Sequence, residues 1–79
     1  MRVIEVLGSG CPKCRYLEKI VREAVDAAGI EADVRHVSDY AEIASRGVLS
    51  TPGLAIDGTV VVAGRIPTRE QIVAWFDHV

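Results

Sequence analysis

A run of apolar and mostly β-branched residues near the start of the chain, residues 3–7, constrains its fold more than any other feature. The run reads Val-Ile-Glu-Val-Leu and ends at the turn-forming residues Gly8-Ser9-Gly10. A strand that is apolar at nearly every position is typical of a sheet whose two faces are both covered. We therefore expect a central strand, with helices packed on both faces of its sheet.

The segment that follows, Pro12–Ala28, has the spacing of an amphipathic helix. Its apolar residues recur every three or four positions: Leu17, Ile20, Val21, Ala24, Val25 and Ala28. Gly29 follows directly, where helices commonly end. A second strand is predicted over Ala32–Val37, and its partial alternation of polar and apolar residues favours a place near the edge of the sheet.

Three shorter elements are predicted in the middle of the chain. Residues 40–46 fit a short helix, with Asp39 at the capping position before it. Residues 54–56 and Thr59–Ala63 are two β runs joined by Asp57-Gly58, a dipeptide that favours a tight hairpin turn. The two strands of this hairpin must be antiparallel.

The last helix is predicted to begin at Thr68, which has the spacing of a capping box with Gln71. Its apolar stripe consists of Ile72, Val73, Phe76 and Val79. The element order is therefore βαβαββα, in which the first βαβ unit requires two parallel strands and a right-handed crossover. We predict an α/β fold with a four-stranded mixed sheet between three helices, formed as one domain by residues 1–79.

Length and charge limit the function classes. A chain of 79 residues has no room for a separate cofactor-binding module, and we expect no cofactor. Hydrophobic residues make up 49% of the chain, which is too apolar for intrinsic disorder. Nine basic and eleven acidic residues, with no basic block, make nucleic acid an unexpected partner.

Targeting signals set the expected compartment. No apolar run approaches the roughly 20 residues that span a bilayer, and no signal peptide is visible at the start of the chain. We therefore expect a cytoplasmic protein that does not bind a membrane. Because cytoplasmic thiols are kept reduced, two closely spaced cysteines indicate chemistry more than a structural disulfide.

The two cysteines lie in Cys11-Pro12-Lys13-Cys14, between the first strand and the first helix. Proline is favoured at the first position of a helix, so Cys11 is predicted to occupy the capping position. Exposed backbone N–H groups and the helix dipole favour a thiolate there, and such cysteines have pKa values lowered from about 8.5 to between ~3.5 and ~7.5. Lys13 and Arg15 add positive charge nearby.

The two thiols are predicted to differ in access. Cys14 precedes Leu17 by three residues and Val21 by seven, so it falls on the buried stripe of the helix, while Cys11 stands at its exposed end. The spacing brings the two side chains close enough for a disulfide. This pattern indicates that Cys11 attacks a substrate disulfide and Cys14 then resolves the mixed disulfide.

Two other interpretations of the cysteines remain. They could be two small buried apolar residues, or they could hold a metal ion or a persulfide in a carrier protein, including a metal shared between two subunits. His36 and His78 are the only histidines, and neither has the spacing of a zinc module with the cysteines. We expect His36 to be a polar strand residue and His78 a surface residue near the end of the last helix.

The chain resembles proteins of the thioredoxin/glutaredoxin-like fold in three features. These are the element order, the Cys-Pro-Lys-Cys motif at the first helix, and Thr51-Pro52 before the third strand. Within this fold, the chain is most similar to the small thioredoxin-like redox-active disulfide proteins of archaea and bacteria, which leave the first strand through a segment like residues 7–11. The resemblance covers the whole chain. It implies a thiol-disulfide oxidoreductase that acts on a disulfide-containing protein or small thiol and is recycled by an upstream reductase. We expect the protein to be a monomer.

The resemblance also implies roles for residues outside the motif. The Thr51–Pro52 peptide bond is expected to be cis, facing the disulfide and binding substrate. Glu5 precedes Cys11 by six residues, the offset at which larger thioredoxins keep a buried carboxylate. Glu5 is therefore a candidate for proton relay to Cys14, or for charge tuning together with Lys13. The alternative is a Glu5 side chain that reaches solvent or pairs with an Arg or Lys.

Three departures from the family pattern concern the partners. Ser9 stands where typical thioredoxins have a Trp-containing stretch, and Pro12-Lys13 replaces their Gly-Pro. The stretch Gly64-Arg65-Ile66-Pro67-Thr68 replaces the Gly-rich acidic segment with which glutaredoxins hold glutathione. The sequence therefore leaves open whether thioredoxin reductase or glutathione is the reductant.

Overall fold

The computed structural model of the chain describes residues 1–8 and 12–78. These residues form an α/β structure with the predicted element order. The elements are β1 (Arg2–Leu7), α1 (Pro12–Ala28), β2 (Ala32–Val37), α2 (Tyr40–Ser45), β3 (Gly53–Ile56), β4 (Thr59–Ala63) and α3 (Arg69–His78). Within the described ranges, no helix is both long and apolar enough to cross a bilayer.

The sheet has the strand order β2-β1-β3-β4. Strands β1 and β2 are parallel, in a register that runs from Arg2 opposite Ala32 to Leu7 opposite Val37. Strand β3 is antiparallel to both β1 and β4. The prediction of a four-stranded mixed sheet is confirmed, with β1 inside the sheet and β2 at its edge. Since β1 and β2 are parallel, α1 must carry the chain back along the sheet between them.

The core lies on both faces of the sheet. The larger cluster joins one face to α1 and α3 and contains Ile4, Val6, Leu17, Ile20, Val21, Ala24, Leu54, Ile56, Val62, Ile72 and Phe76. The smaller cluster lies on the other face and contains Leu7, Val37, Ile43, Val48 and Ala55. Consecutive residues of β1 and β3 enter different clusters, as the alternation of side chains along a strand requires. The continuous apolar runs in the sequence are thereby explained.

The ends of the elements follow local rules. The Asp39 carboxylate accepts a hydrogen bond from the Ala41 N–H at 2.8 Å and caps α2. Thr68 and Gln71 bond each other's backbone N–H groups at 3.0 and 3.1 Å, a capping box at the start of α3. At the hairpin, Asp57 and Gly58 both have positive φ angles, of 50° and 87°, as a type I′ turn requires.

Asp57 also fastens the hairpin to the start of β1. Its carboxylate accepts hydrogen bonds from the Val3 N–H at 2.9 Å and from Arg2 Nε at 2.5 Å, and Arg2 Nη1 donates to the Phe76 carbonyl. The bond from Val3, followed by the bond and charge of Arg2, holds the pKa of Asp57 below its ordinary value of 3.8. One carboxylate thus links β1 to the β3–β4 turn, while Arg2 extends the link to α3.

The lowered pKa predicts how Asp57 contributes to stability at different pH values. Because the folded state favours the ionised carboxylate, its contribution is complete well above pH 3.8 and is lost as the pH falls through the folded pKa. Asp57→Asn keeps the turn geometry, since asparagine also tolerates positive φ, but removes the charge. We expect urea unfolding to show a less stable variant at pH 6, with a difference that shrinks towards pH 3. A difference that stays constant with pH would contradict this assignment.

Candidate functional site

Cys14 lies in the first turn of α1, two residues after Pro12, which begins the helix. Its side chain is fully buried, as its position on the apolar stripe predicted. Lys13, between these two residues, is exposed. Cys11, the predicted nucleophile, lies outside the described residues, as do Ser9 and Gly10. The described part of the site is therefore built around the second cysteine of the motif.

Gly8 leaves room for the Cys14 thiol to pack against the end of the sheet. It follows β1 directly, and a Cβ atom added to Gly8 would overlap Cys14 Sγ and come within 3.3 Å of Cys14 Cβ. A side chain at position 8 would therefore displace the thiol. The absence of one allows the helix start to approach the end of β1 closely.

Thr51 and Pro52 lie beside Gly8 and Cys14. The Thr51–Pro52 peptide bond is cis, as the resemblance implied. Pro52 is fully buried, whereas Thr51 is exposed and its Cβ lies 3.8 Å from the position that a Gly8 Cβ would take. The Pro52 carbonyl accepts a hydrogen bond from the Gly64 N–H at 2.8 Å, which ties this segment to the end of β4. Residues far apart in sequence thus meet around the Cys14 thiol.

Positive charge predominates at the start of α1. Its first turn has no acidic residue, and the side chains of Lys13 and Arg15 are exposed. The N–H groups of the first helical turn, which have no acceptor within the helix itself, add a partial positive charge at the same end. An anion near this end of the helix is therefore favoured.

Glu5 does not lie on the side of β1 that faces α1. It shares a face with Leu7, whose cluster includes Ile43 of α2, whereas α1 covers the face of Ile4 and Val6. The Glu5 carboxylate is mostly buried and accepts a hydrogen bond from Arg46 Nη2 at 2.5 Å. The structure therefore pairs Glu5 with an arginine, the alternative to proton relay that the sequence left open.

His36 has a contact that its sequence pattern did not indicate. The residue lies in β2, as expected, and its Nε2 is 2.8 Å from the Gly8 carbonyl oxygen. The parallel register that places His36 opposite Val6 brings its ring to the end of β1. The sequence did predict that the first two strands pair in parallel, and this pairing alone could have indicated that His36 lies near the end of β1. His78 is exposed in the last turn of α3, as expected.

Metal-ligating residues do not cluster in the described part of the chain. Residues 1–8 and 12–78 contain no group of three or more His, Cys, Asp or Glu side chains that could hold a metal ion. A metal site that uses Cys11 lies outside this finding, because Cys11 is not among the described residues.

The close approach of Gly8 to Cys14 predicts a coupled effect of two substitutions. Gly8→Ala introduces a Cβ where the Cys14 sulfur lies, and we expect it to lower the free energy of unfolding by about 1–3 kcal/mol. In a Cys14→Ala background the sulfur is absent, so the same change should cost at least ~1 kcal/mol less. Urea unfolding of the wild type, both single variants and the double variant measures this difference. Equal costs in both backgrounds would show that the sulfur does not set the requirement for glycine.

Comparison with known proteins adds an independent result. A family model described as a thioredoxin domain matches residues 2–77. The chain is 39% identical over 72 residues to a thioredoxin of Methanothermobacter thermautotrophicus, covering 91% of this chain and 94% of that protein. It is 44% identical over 72 residues to a thioredoxin of Methanocaldococcus jannaschii, covering 91% of this chain and 83% of that protein. With a βαβαββα fold and a cysteine buried at the start of its first helix, the chain belongs to the thioredoxin-domain family.

Proposed function

We propose that this protein is a thiol-disulfide oxidoreductase in which Cys11 is the nucleophile and Cys14 the resolving thiol. The observation that carries the proposal is the full burial of Cys14 in the first turn of α1, beside Gly8 and Thr51. A buried sulfur is a poor attacker of a large substrate in solution, because the attacking thiolate must reach the disulfide directly. Cys14 is therefore suited to attack a sulfur that Cys11, three residues earlier, has already bound.

The proposed reaction transfers two electrons to the substrate. The Cys11 thiolate attacks one sulfur of a substrate disulfide, forms a mixed disulfide and releases the other substrate sulfur as a thiolate. The deprotonated Cys14 then attacks Cys11 Sγ, which closes the Cys11–Cys14 disulfide and releases the second substrate thiolate. Both released thiolates take up protons, and the protein dithiol is oxidised as the substrate disulfide is reduced.

The positive end of α1 supports the choice of Cys11 as the attacking thiol. Cys11 directly precedes Pro12, the first residue of the helix, and the nearby Lys13 and Arg15 are exposed cations. A helix N-terminus and neighbouring cations both stabilise a thiolate relative to a thiol. We assign charge tuning of the thiols to Lys13 on this basis.

Thr51 and Pro52 are the proposed substrate-binding residues. Thr51 is exposed and lies close to Gly8, so this residue is accessible to an extended substrate segment that carries a disulfide. The proposed substrate is a disulfide-containing protein or a small disulfide in a reducing compartment such as the cytoplasm, and a separate reductase restores the dithiol. The two relatives bear the name thioredoxin, which fits this class of reaction.

Trapping and alkylation test the assignment of the two cysteines. In Cys14→Ser, attack by Cys11 cannot be resolved, so a labelled disulfide peptide should remain covalently bound. Cys11→Ser should trap far less, and the double Cys→Ser variant is the matched control. In the reduced wild type, mass spectrometry should show fast alkylation of Cys11 with an apparent pKa below the ordinary value of about 8.5, and slow alkylation of Cys14.

The same measurements identify the competing function. A metal carrier would trap no peptide in the Cys14→Ser variant. Its two thiols would be equally protected from alkylation, and a chelator would relieve that protection. Either result would contradict the oxidoreductase proposal.

Glu5 is proposed to balance the charge of Arg46 beneath the sheet, because the two side chains form an ion pair on the face away from α1. In Glu5→Gln, Arg46 loses its charged partner, and its Nε already has no hydrogen-bond acceptor among the described residues. We expect a loss of about 1.5–3 kcal/mol in the free energy of unfolding. The pH dependence of Cys14 alkylation should stay unchanged.

The double variant Glu5→Gln, Arg46→Gln serves as the control for this prediction, and it should recover part of the lost stability. A changed pH profile of Cys14 in Glu5→Gln, with the profile of Arg46→Gln unaltered, would instead support proton relay by Glu5.

A further inference from the structure

Both backbone polar groups of Gly8 are bound by strand β2. The Gly8 N–H donates to the Val37 carbonyl at 2.9 Å, and the Gly8 carbonyl lies 2.8 Å from His36 Nε2. Gly8 itself is buried and lies against the Cys14 thiol. Two consecutive residues of β2, His36 and Val37, therefore hold the backbone N–H and carbonyl of the glycine that packs against the thiol.

The His36 side chain completes a hydrogen-bond ladder that the backbone does not continue. In a regular parallel pair, the next donor to the Gly8 carbonyl would be the backbone N–H two residues after Val37. The residue that would supply this N–H is Asp39. Strand β2 ends at Val37, however, and Asp39 caps α2 instead. The imidazole of His36 donates to the Gly8 carbonyl in its place.

The orientation of the His36 ring follows from its partners. A carbonyl oxygen can only accept a hydrogen bond, so Nε2 carries the hydrogen that binds Gly8. On the other side of the ring, Nδ1 is 4.0 Å from Glu18 Oε1 of α1. The ring therefore lies between the end of β1 and the second turn of the helix that carries Cys14.

We propose that His36 is a positioning residue for the thiol pair: its hydrogen bond to the Gly8 carbonyl fixes the backbone that enters the Cys11–Cys14 motif. The proposal rests on the proposed oxidoreductase function. Gly8 follows β1 directly and lies three positions before Cys11 in the sequence, and the same residue packs against Cys14 Sγ. Holding its carbonyl thus constrains the surface against which Cys14 Sγ rests.

Two substitutions separate the hydrogen bond from the rest of the imidazole. His36→Gln retains an amide N–H at about the reach of Nε2, whereas His36→Leu fills similar space with no donor. With the neutral substrate bis(2-hydroxyethyl) disulfide, we expect His36→Leu to lower the exchange rate about tenfold, which corresponds to one net hydrogen bond. His36→Gln should restore the rate to within about threefold of wild type. His78→Gln, on the exposed surface of α3, is the matched control.

Alkylation of Cys14 in the folded, reduced protein provides a second readout that does not require exchange activity. We expect His36→Leu to raise its rate about tenfold, since Gly8 no longer holds its place over the sulfur, and His36→Gln to leave it near wild type. A rate change in proportion to global stability, measured by urea unfolding, would indicate a purely structural role and overturn the proposal. Equal exchange rates in His36→Leu and wild type would also overturn it.

The two proposals can fail separately. If the wild type exchanges no disulfide, the oxidoreductase function fails, while Cys14 alkylation still decides whether His36 positions the backbone over the thiol. If the wild type is active and both His36 variants behave alike in exchange and alkylation, the oxidoreductase function stands and the positioning role is wrong.

Discussion

The burial of β1 on both of its faces is the constraint on which the rest of this structure depends. Ile4 and Val6 enter the core under α1 and α3, while Leu7 enters the smaller cluster with α2. A shift of one residue in pairing would exchange these faces and place Glu5 in the larger core. The register with β2 and β3 is therefore strongly specified. Because this register fixes the position of β1, it also fixes the position of Gly8 beside the start of α1.

Gly8 and Thr51, from two different strand ends, lie near the Cys14 sulfur. The glycine that ends β1 approaches the sulfur from one side, and Thr51 precedes β3 next to it. Charged groups contribute from the exposed side, through Lys13 and Arg15 at the helix start. Because Gly8 has no side chain, a substitution at this position would add atoms where the Cys14 sulfur lies. The position of the Cys14 sulfur therefore depends on how closely the end of β1 approaches the start of α1.

Most of the fold followed from the sequence because its signals are local. Three of these signals each involve residues only a few positions apart, and the structure contains all three. They are the apolar periodicity of α1, the Asp57-Gly58 turn and the Thr68–Gln71 capping box. The burial of Cys14 also followed from helix periodicity. In contrast, the cis bond at Pro52 was expected only through the family resemblance, because an isolated Thr-Pro pair does not specify it.

The specific partners of Glu5 and His36 could not be named from the sequence, for a common physical reason. The pairing of Glu5 with Arg46 spans 41 positions of sequence, and that of His36 with Gly8 spans 28. Each depends on how two elements pack in three dimensions, which hydrophobic periodicity does not encode at the level of side-chain atoms. A histidine in a polar edge strand has the same sequence pattern whether its ring faces water or a neighbouring carbonyl.

The hydrogen bond from Arg2 to α3 determines where a label could be attached without blocking the thiol. Arg2 begins β1 and also bonds the Phe76 carbonyl near the end of α3, so the two ends of the described chain lie together. Strand β1 has six residues, which places Cys14 and Gly8 about 20 Å away at its other end. A fluorescent label or a fused domain attached before β1 or after α3 would project from the side of the molecule opposite Cys14. The protein could be anchored to a surface in that way with its sulfur chemistry facing the solution.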